Sequence, residues 1–190
     1  EHADLQQHWH MMSRTGAWGS LFCAQAAYPH LVAAGSAGRF VMVTSPAGVE
    51  GSANLPLYAT VKAAQRGMAK SLAREWGHHG ITVNCIAPRA RTPMTEVNPK
   101  FAKPETGFDK YDPANVSPLV AWLASDDAAD VSGQTFIVLG DQIHRMQPAQ
   151  IAGSITGGNA RLTVESISAQ RDALFGGQPA GVPVWGGPPM

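Results

Sequence analysis

Gly38-Arg39-Phe40-Val41-Met42-Val43-Thr44-Ser45 decides the fold. Phe40 to Val43 is an unbroken apolar run with two β-branched members, entered through a glycine and left through a Ser-Pro turn. That is the pattern of a short strand buried on both faces. Ile81-Thr82-Val83-Asn84-Cys85-Ile86 repeats it and is stopped by Pro88, and Gln134 to Leu139 supplies a third strand. Helical patterns lie between them. Gly19 to Ala34 carries Leu21, Phe22, Ala26, Leu31 and Val32 on an apolar side and is ended by Gly35 and Gly38. A long helix runs from Leu57 to about Gly77, and another pattern, from Pro113 to Ser125, passes through Val116, Leu119, Val120 and Leu123. Helix and strand alternate in this order, which predicts an α/β fold built on a parallel sheet.

Outward from this centre the signals change. Residues 1–15 are polar, His- and Gln-rich and weakly periodic, and read as an arm or a frayed helix. His8 and His10 are two apart, pointing about 200° away from each other on a helix, so they do not form a metal site. Residues 88–112 hold four prolines and no clean period, which predicts a long loop or lid of functional use. The expected catalytic domain is 1–140, followed by an extension, 141–190. One helix, Val164 to Phe175, is expected there behind Thr163, and then a tail, Gly176 to Met190, with five glycines and four prolines.

The 190 residues are 44% hydrophobic and 15% charged, with 14 basic residues against 14 acidic. This balance argues against nucleic acid or an acidic membrane surface as the main partner. No apolar stretch is long enough for a membrane-spanning helix. Neither a signal peptide nor a cysteine framework is visible, so a cytoplasmic location is expected. Cys23 and Cys85 stand far apart and suggest neither a disulfide nor a zinc site.

The chemistry is concentrated around the long helix. Tyr58 and Lys62 are four residues apart and so share a face. That face is offset by about 100° from the apolar stripe Leu57, Val61, Ala64, Met68, Leu72 and Trp76. An ammonium beside a phenol favours the phenolate, a physical route to an acid/base group working near neutrality. Ser45 follows the first strand, where ligands of parallel sheets bind, and can hold a carbonyl oxygen beside the phenol. Thr92 lies in the loop beyond the second strand, at the same sheet edge. A second stripe, Ala59, Ala63, Gly67 and Ser71, is small enough for another element to approach closely.

These residues resemble the short-chain dehydrogenase/reductase family. The resemblance rests on Gly38 to Ser45, on Tyr58-Ala59-Thr60-Val61-Lys62-Ala63-Ala64 and on Gly80 to Pro88. Leu72-Ala73-Arg74-Glu75-Trp76-Gly77 and Val131-Ser132-Gly133-Gln134 fit it too, so that it covers about Gly19 to Leu139. It implies a Rossmann-like sheet and hydride transfer between NAD or NADP and a carbonyl or alcohol. It makes Tyr58 the acid/base, Lys62 its activator and the holder of the nicotinamide ribose, and Ser45 the group that orients the substrate oxygen. Ile86, Pro88 and Thr92 would line the nicotinamide. The substrate classes it brings forward are 3-hydroxyacyl-CoA thioesters and steroid-like alcohols.

The departures from the family are equally specific. There is no Thr-Gly-x-x-x-Gly-x-Gly turn to receive a pyrophosphate. Gly16 stands where a catalytic Asn is usual, unless a gap brings Ser13 there. Arg89 replaces the usual Gly after Pro88, and Leu139-Gly140-Asp141 replaces Asp-Gly-Gly. An incomplete sheet of three strands would leave Phe40 to Thr44 with an open apolar edge. The expectation is a catalytic half whose nucleotide-binding half is absent or lies on a companion chain, in a homodimer or homotetramer. The rival reading is an inactive module that keeps the family's oligomerisation helices as a scaffold.

Overall fold

The computed structural model describes residues 2–147, 149–178 and 181, so most of the expected Gly/Pro-rich tail lies outside the described residues. The chain divides into two compact units, residues 1–146 and 147–190.

The first unit is built on a mixed sheet of four strands in the order β1-β2-β3-β4. Helix α1 (His2–Met12) passes through a π-helical turn, Ser13–Trp18, into α2 (Gly19–Ala34). The amino-terminal arm is thus helical despite its weak periodicity. Gly35, at φ 59°, ends α2 in a conformation that suits glycine. Then come β1 (Arg39–Val43), the one-turn α3 (Ala47–Glu50), α4 (Pro56–Trp76) and β2 (Thr82–Pro88). After the loop of residues 89–112 follow α5 (Ser117–Ala124), β3 (Thr135–Leu139) and β4 (Gln142–Arg145).

β1, β2 and β3 are parallel, with Val41 opposite Asn84 and Ile86 opposite Phe136. The expected sheet of three strands is corrected at its far edge. The chain reverses at Gly140-Asp141 and lays β4 antiparallel on β3, with Leu139 opposite Gln142. Gly140, at φ 60°, allows that two-residue reversal. At the near edge only β2 pairs with β1 among the described residues, so the open apolar edge expected for Phe40 to Thr44 is present.

Both sheet faces are covered. Met42, Val83 and Cys85 pack with Ala24 of α2 and with Ala69, Leu72 and Trp76 of α4. On the other face Ile86, Phe136 and Val138 pack with Leu119 and Leu123 of α5. Asn84 is buried in β2 with both polar atoms bonded: its Nδ2 donates to the Val131 carbonyl at 2.6 Å and its Oδ1 accepts from the Gln134 N–H at 3.0 Å. This sets the segment entering β3 against β2.

The buried face of α4 is Val61, Gln65, Ala69, Leu72 and Trp76, so Gln65 takes a place the apolar stripe had given to Ala64. Its amide reaches Ser20 Oγ at 2.8 Å, which explains a polar group in that position. Ala63, Gly67 and Ser71 of the small-residue stripe are exposed.

The second unit holds two short helices, α6 (Val164–Ala169) and α7 (Arg171–Phe175), where one was expected. Thr163 and Ser166 cap α6 reciprocally, each side chain accepting from the other's backbone N–H.

Candidate active site

β1 and β2 run parallel, so Ser45, just beyond the first, and Pro88, which closes the second, emerge on one edge of the sheet. That is the edge where α/β sheets hold ligands. A cavity of about 410 Å³ opens there, and Ser45, Glu50, Tyr58, Pro88, Arg89 and Thr95 are among its lining residues.

Ser45 is positioned by close backbone packing. The buried Thr44 hydroxyl donates to the Lys62 carbonyl at 2.7 Å, which ties the end of β1 to α4. The Ala47 N–H donates to Ser45 Oγ at 3.2 Å as the chain turns into α3. Gly48 lets α3 lie directly on α4, because a β-carbon there would sit 2.5 Å from the Lys62 carbonyl carbon. The Gly48 carbonyl in turn accepts from Arg66 Nη1 at 2.7 Å.

Tyr58 sits in the first turn of α4, and Lys62 stands one turn further on. The Lys62 Nζ lies over the Tyr58 ring, 5.8 Å from its centre. It donates to the Val43 carbonyl at 3.0 Å, which takes one of the three ammonium donors. Burial lowers the Lys62 pKa from its ordinary value, and the charge of Cys85 opposes that shift.

Ser45, Tyr58 and Pro88 therefore share a cavity, with Lys62 against the phenol. Ile86 and Thr92 do not join them. Ile86 lies two residues short of the strand's end and is 2% exposed, packed under α5 with Leu119 and Phe136. Thr92 is exposed, its hydroxyl 3.2 Å from that of Thr95, and Thr95 is the one that lines the cavity. Sequence reasoning missed Glu50. It ends α3 and approaches Arg89 of the β2 loop, far away in the chain, and no local pattern announces such a pair.

The π-helical turn before α2 brings Gly16 against α4. A β-carbon on Gly16 would overlap Val61 Cγ1, and the Gly16 carbonyl lies 3.4 Å from Gln65 Nε2. An amide side chain has no room at this position.

Residues 3–140 match the family model described as enoyl-(acyl carrier protein) reductase. The chain belongs to the short-chain dehydrogenase/reductase family. It is 37% identical over 145 residues to the hydroxyacyl-CoA dehydrogenase ChsB1 of Mycobacterium tuberculosis, covering 75% of this chain and 46% of that protein. A short-chain dehydrogenase structure from Mycobacterium avium superposes with a TM-score of 0.64 at 34% identity, over 79% of this chain and 48% of that one. A 3-oxoacyl-[acyl-carrier protein] reductase from Brucella melitensis with bound NAD gives a TM-score of 0.59 at 32% identity, over 70% of this chain and 51% of that one. The chain thus spans about half the length of the short-chain dehydrogenase/reductase relatives it matches.

The residues present suit the nicotinamide end of a dinucleotide. Lys62 keeps two donors beyond the one given to Val43, enough for the vicinal hydroxyls of a ribose, and it stands beside the cavity holding Tyr58 and Ser45. They do not supply the pyrophosphate end, for which the sequence has no Gly-rich turn after a strand. Among the described residues no helix is long and apolar enough to cross a membrane, and no group of His, Cys, Asp and Glu is placed to hold a metal.

Proposed function

We propose that this chain is the catalytic portion of an NAD(P)-dependent oxidoreductase acting on a ketone or secondary alcohol. The observation that carries this reading is the sharing of one cavity by Ser45 and Tyr58, with the Lys62 ammonium 5.8 Å from the phenol ring. A nicotinamide bound beside them would supply or accept the hydride. Tyr58 gives its hydroxyl proton to the carbonyl oxygen during reduction and takes it back during oxidation. Ser45 Oγ donates to the same oxygen and fixes its position. Lys62 sets its ammonium beside the phenol and would hold the ribose. Pro88 forms one wall of the cavity. The 3-hydroxyacyl-CoA and steroid-like classes remain the substrate proposals, the first supported by the name of the mycobacterial relative, a hydroxyacyl-CoA dehydrogenase.

The reading also includes an association. The open edge of β1 and the exposed Trp18 and Phe22 side chains, whose rings stand 5.8 Å apart, are surfaces for further copies or for a companion segment with the nucleotide-binding half.

A second reading is an inactive scaffold, favoured by the close packing of Gly16 on Val61, which leaves no room for the family's amide. One experiment separates the two. The purified chain is titrated into NADH and NADPH by fluorescence, and turnover of a carbonyl panel is followed with Tyr58→Phe as control. Binding with turnover, reduced roughly 100-fold or more in Tyr58→Phe, is the expected result. Turnover that survives Tyr58→Phe would overturn the enzyme reading, and a folded chain that binds neither nucleotide would support the scaffold.

A further inference from the structure

We propose that Arg89 anchors an oxyanion group, a carboxylate or phosphate, carried by the substrate, and that Glu50 orients this anchor while tempering its strength. The assignment rests on the carbonyl-reduction reading and adds a substrate class to it. Of the described residues lining the cavity, Arg89 and Glu50 are the ones that carry charge, and both bear on its preference for charged ligands.

Arg89 is rigidly founded. It directly follows the last residue of β2, and its backbone N–H donates to the Val138 carbonyl of β3 at 2.9 Å. The side chain therefore springs from the sheet itself, and its base does not move with the loop beyond it. A guanidinium presents five N–H groups in a planar fork that matches two oxygens of one carboxylate or phosphate.

The two charged groups are unequally placed. The Arg89 side chain is 36% exposed and the Glu50 side chain 13%, so an entering ligand meets the guanidinium first. Glu50 Oε1 is covered, without a hydrogen-bond partner among the described residues, and lies 3.9 Å from Arg89 Nη2. That separation is longer than a hydrogen bond. Glu50 thus holds Arg89 by charge across the cavity, and an anion on the substrate must act against the field of Glu50 as well as with that of Arg89. The consequence is a pair of opposite signs. Removing the guanidinium abolishes the preference for an anion, whereas neutralising Glu50 strengthens it. A mere tether between α3 and the β2 loop would be weakened by both changes alike.

The test titrates the full chain by ligand-observed NMR with two matched pairs. The first is 3-oxobutanoate and its methyl ester, the second dihydroxyacetone phosphate and dihydroxyacetone. The charged member is expected to bind about tenfold tighter in one pair, and which pair shows this distinguishes carboxylate from phosphate. Arg89→Leu should bring the charged member down to the neutral one, with Arg89→Gln replacing it if the leucine variant fails to fold. Glu50→Gln should tighten the charged member several-fold and leave the neutral one unchanged. Equal affinities in both pairs, no binding in either, survival of the preference without Arg89, or parallel losses from both variants would each overturn the proposal. Turnover without charge preference removes the anchor and leaves the oxidoreductase. An Arg89-dependent preference without turnover does the reverse.

Discussion

Gly16 and Val61 are a matched pair, one contributing bare backbone and the other a branched side chain, because a β-carbon on Gly16 would overlap Val61 Cγ1. Gly16 lies within the π-helical turn, and Val61 is 4% exposed on α4, so neither has a free direction in which to yield. Helix propensity alone would reward Gly16→Ala by about 1 kcal/mol. Forcing a methyl into a filled space costs about 1–3 kcal/mol, and the overlap wins. Gly16→Ala is expected to lower the denaturant midpoint. Val61→Ala also lowers it, through a cavity, but the double variant loses less than the two singles together. Additive losses in urea titrations of the three variants would separate the two residues. The same packing means that Gly16→Asn needs Val61→Ala beside it to fold.

How much of this was readable in the chain depends on how local each signal was. β1, β2, β3, α2 and α4 were legible because an apolar run or a helical period marks each one, with Gly or Pro at its ends. β4 was not. Gln142-Ile143-His144-Arg145 is short and mostly polar, and it becomes a strand by pairing with the exposed edge of β3. The Gly140-Asp141 turn is the one local hairpin signal there. The amino-terminal helix was obscured for the same reason, since residues 4–10 are exposed and carry no apolar stripe. In the site, Tyr58 and Lys62 were readable from helical spacing and Ser45 from its strand end. Arg89 is visible in the sequence only as a departure from the family, because Glu50 is brought to it by the packing of α3 on α4.

Cys85 gives the fold a distinctive alkaline response. Its side chain is fully buried in the core under α4, and burial pushes the thiol from 9.0 up to about 11, against the pull of Arg66, Lys70 and Lys62. Between these two values the unfolded chain has lost a proton that the folded chain keeps. Stability from this thiol is therefore complete below pH 9.0 and declines as pH rises toward about 11. Lys62 works the other way. Its pKa is lowered from 10.5, so the folded chain gives up that proton first and gains stability between the lowered value and 10.5. Replacing the thiol by a group that does not ionise isolates its share. Cys85→Ser should lose less unfolding free energy than the unsubstituted chain between pH 9 and 11, by on the order of 2 kcal/mol. The measurement is a set of urea unfolding curves at closely spaced pH, and parallel declines would show that the thiol is not responsible.

The loop of residues 89–112 is stapled at its base by Arg91 and Asp109. The guanidinium bonds both carboxylate oxygens, and Arg91 Nη1 also donates to the Phe101 carbonyl at 3.0 Å. The Tyr111 N–H donates to Asp109 Oδ1 at 3.1 Å, and the Arg91 N–H donates to the Tyr111 carbonyl at 2.7 Å. The side chains of Arg91 and Asp109 are only 15% and 11% exposed, so loss of one leaves the other poorly solvated. Asp109→Asn removes the charge and one arm of the fork at nearly constant size. Trypsin should then cut after Lys100 several-fold faster, while the melting temperature changes little, because the staple lies outside both core clusters. Acid should imitate the variant. The hydrogen bond from Arg91 holds the Asp109 carboxyl below the usual 3.8, so the staple is intact above that value and opens as pH falls through the lowered one. An acid-stable protease such as pepsin reads that opening. Cleavage within residues 92–108 that is equally fast in the variant and the unsubstituted chain, at both pH extremes, would mean that the loop is held by something other than this pair.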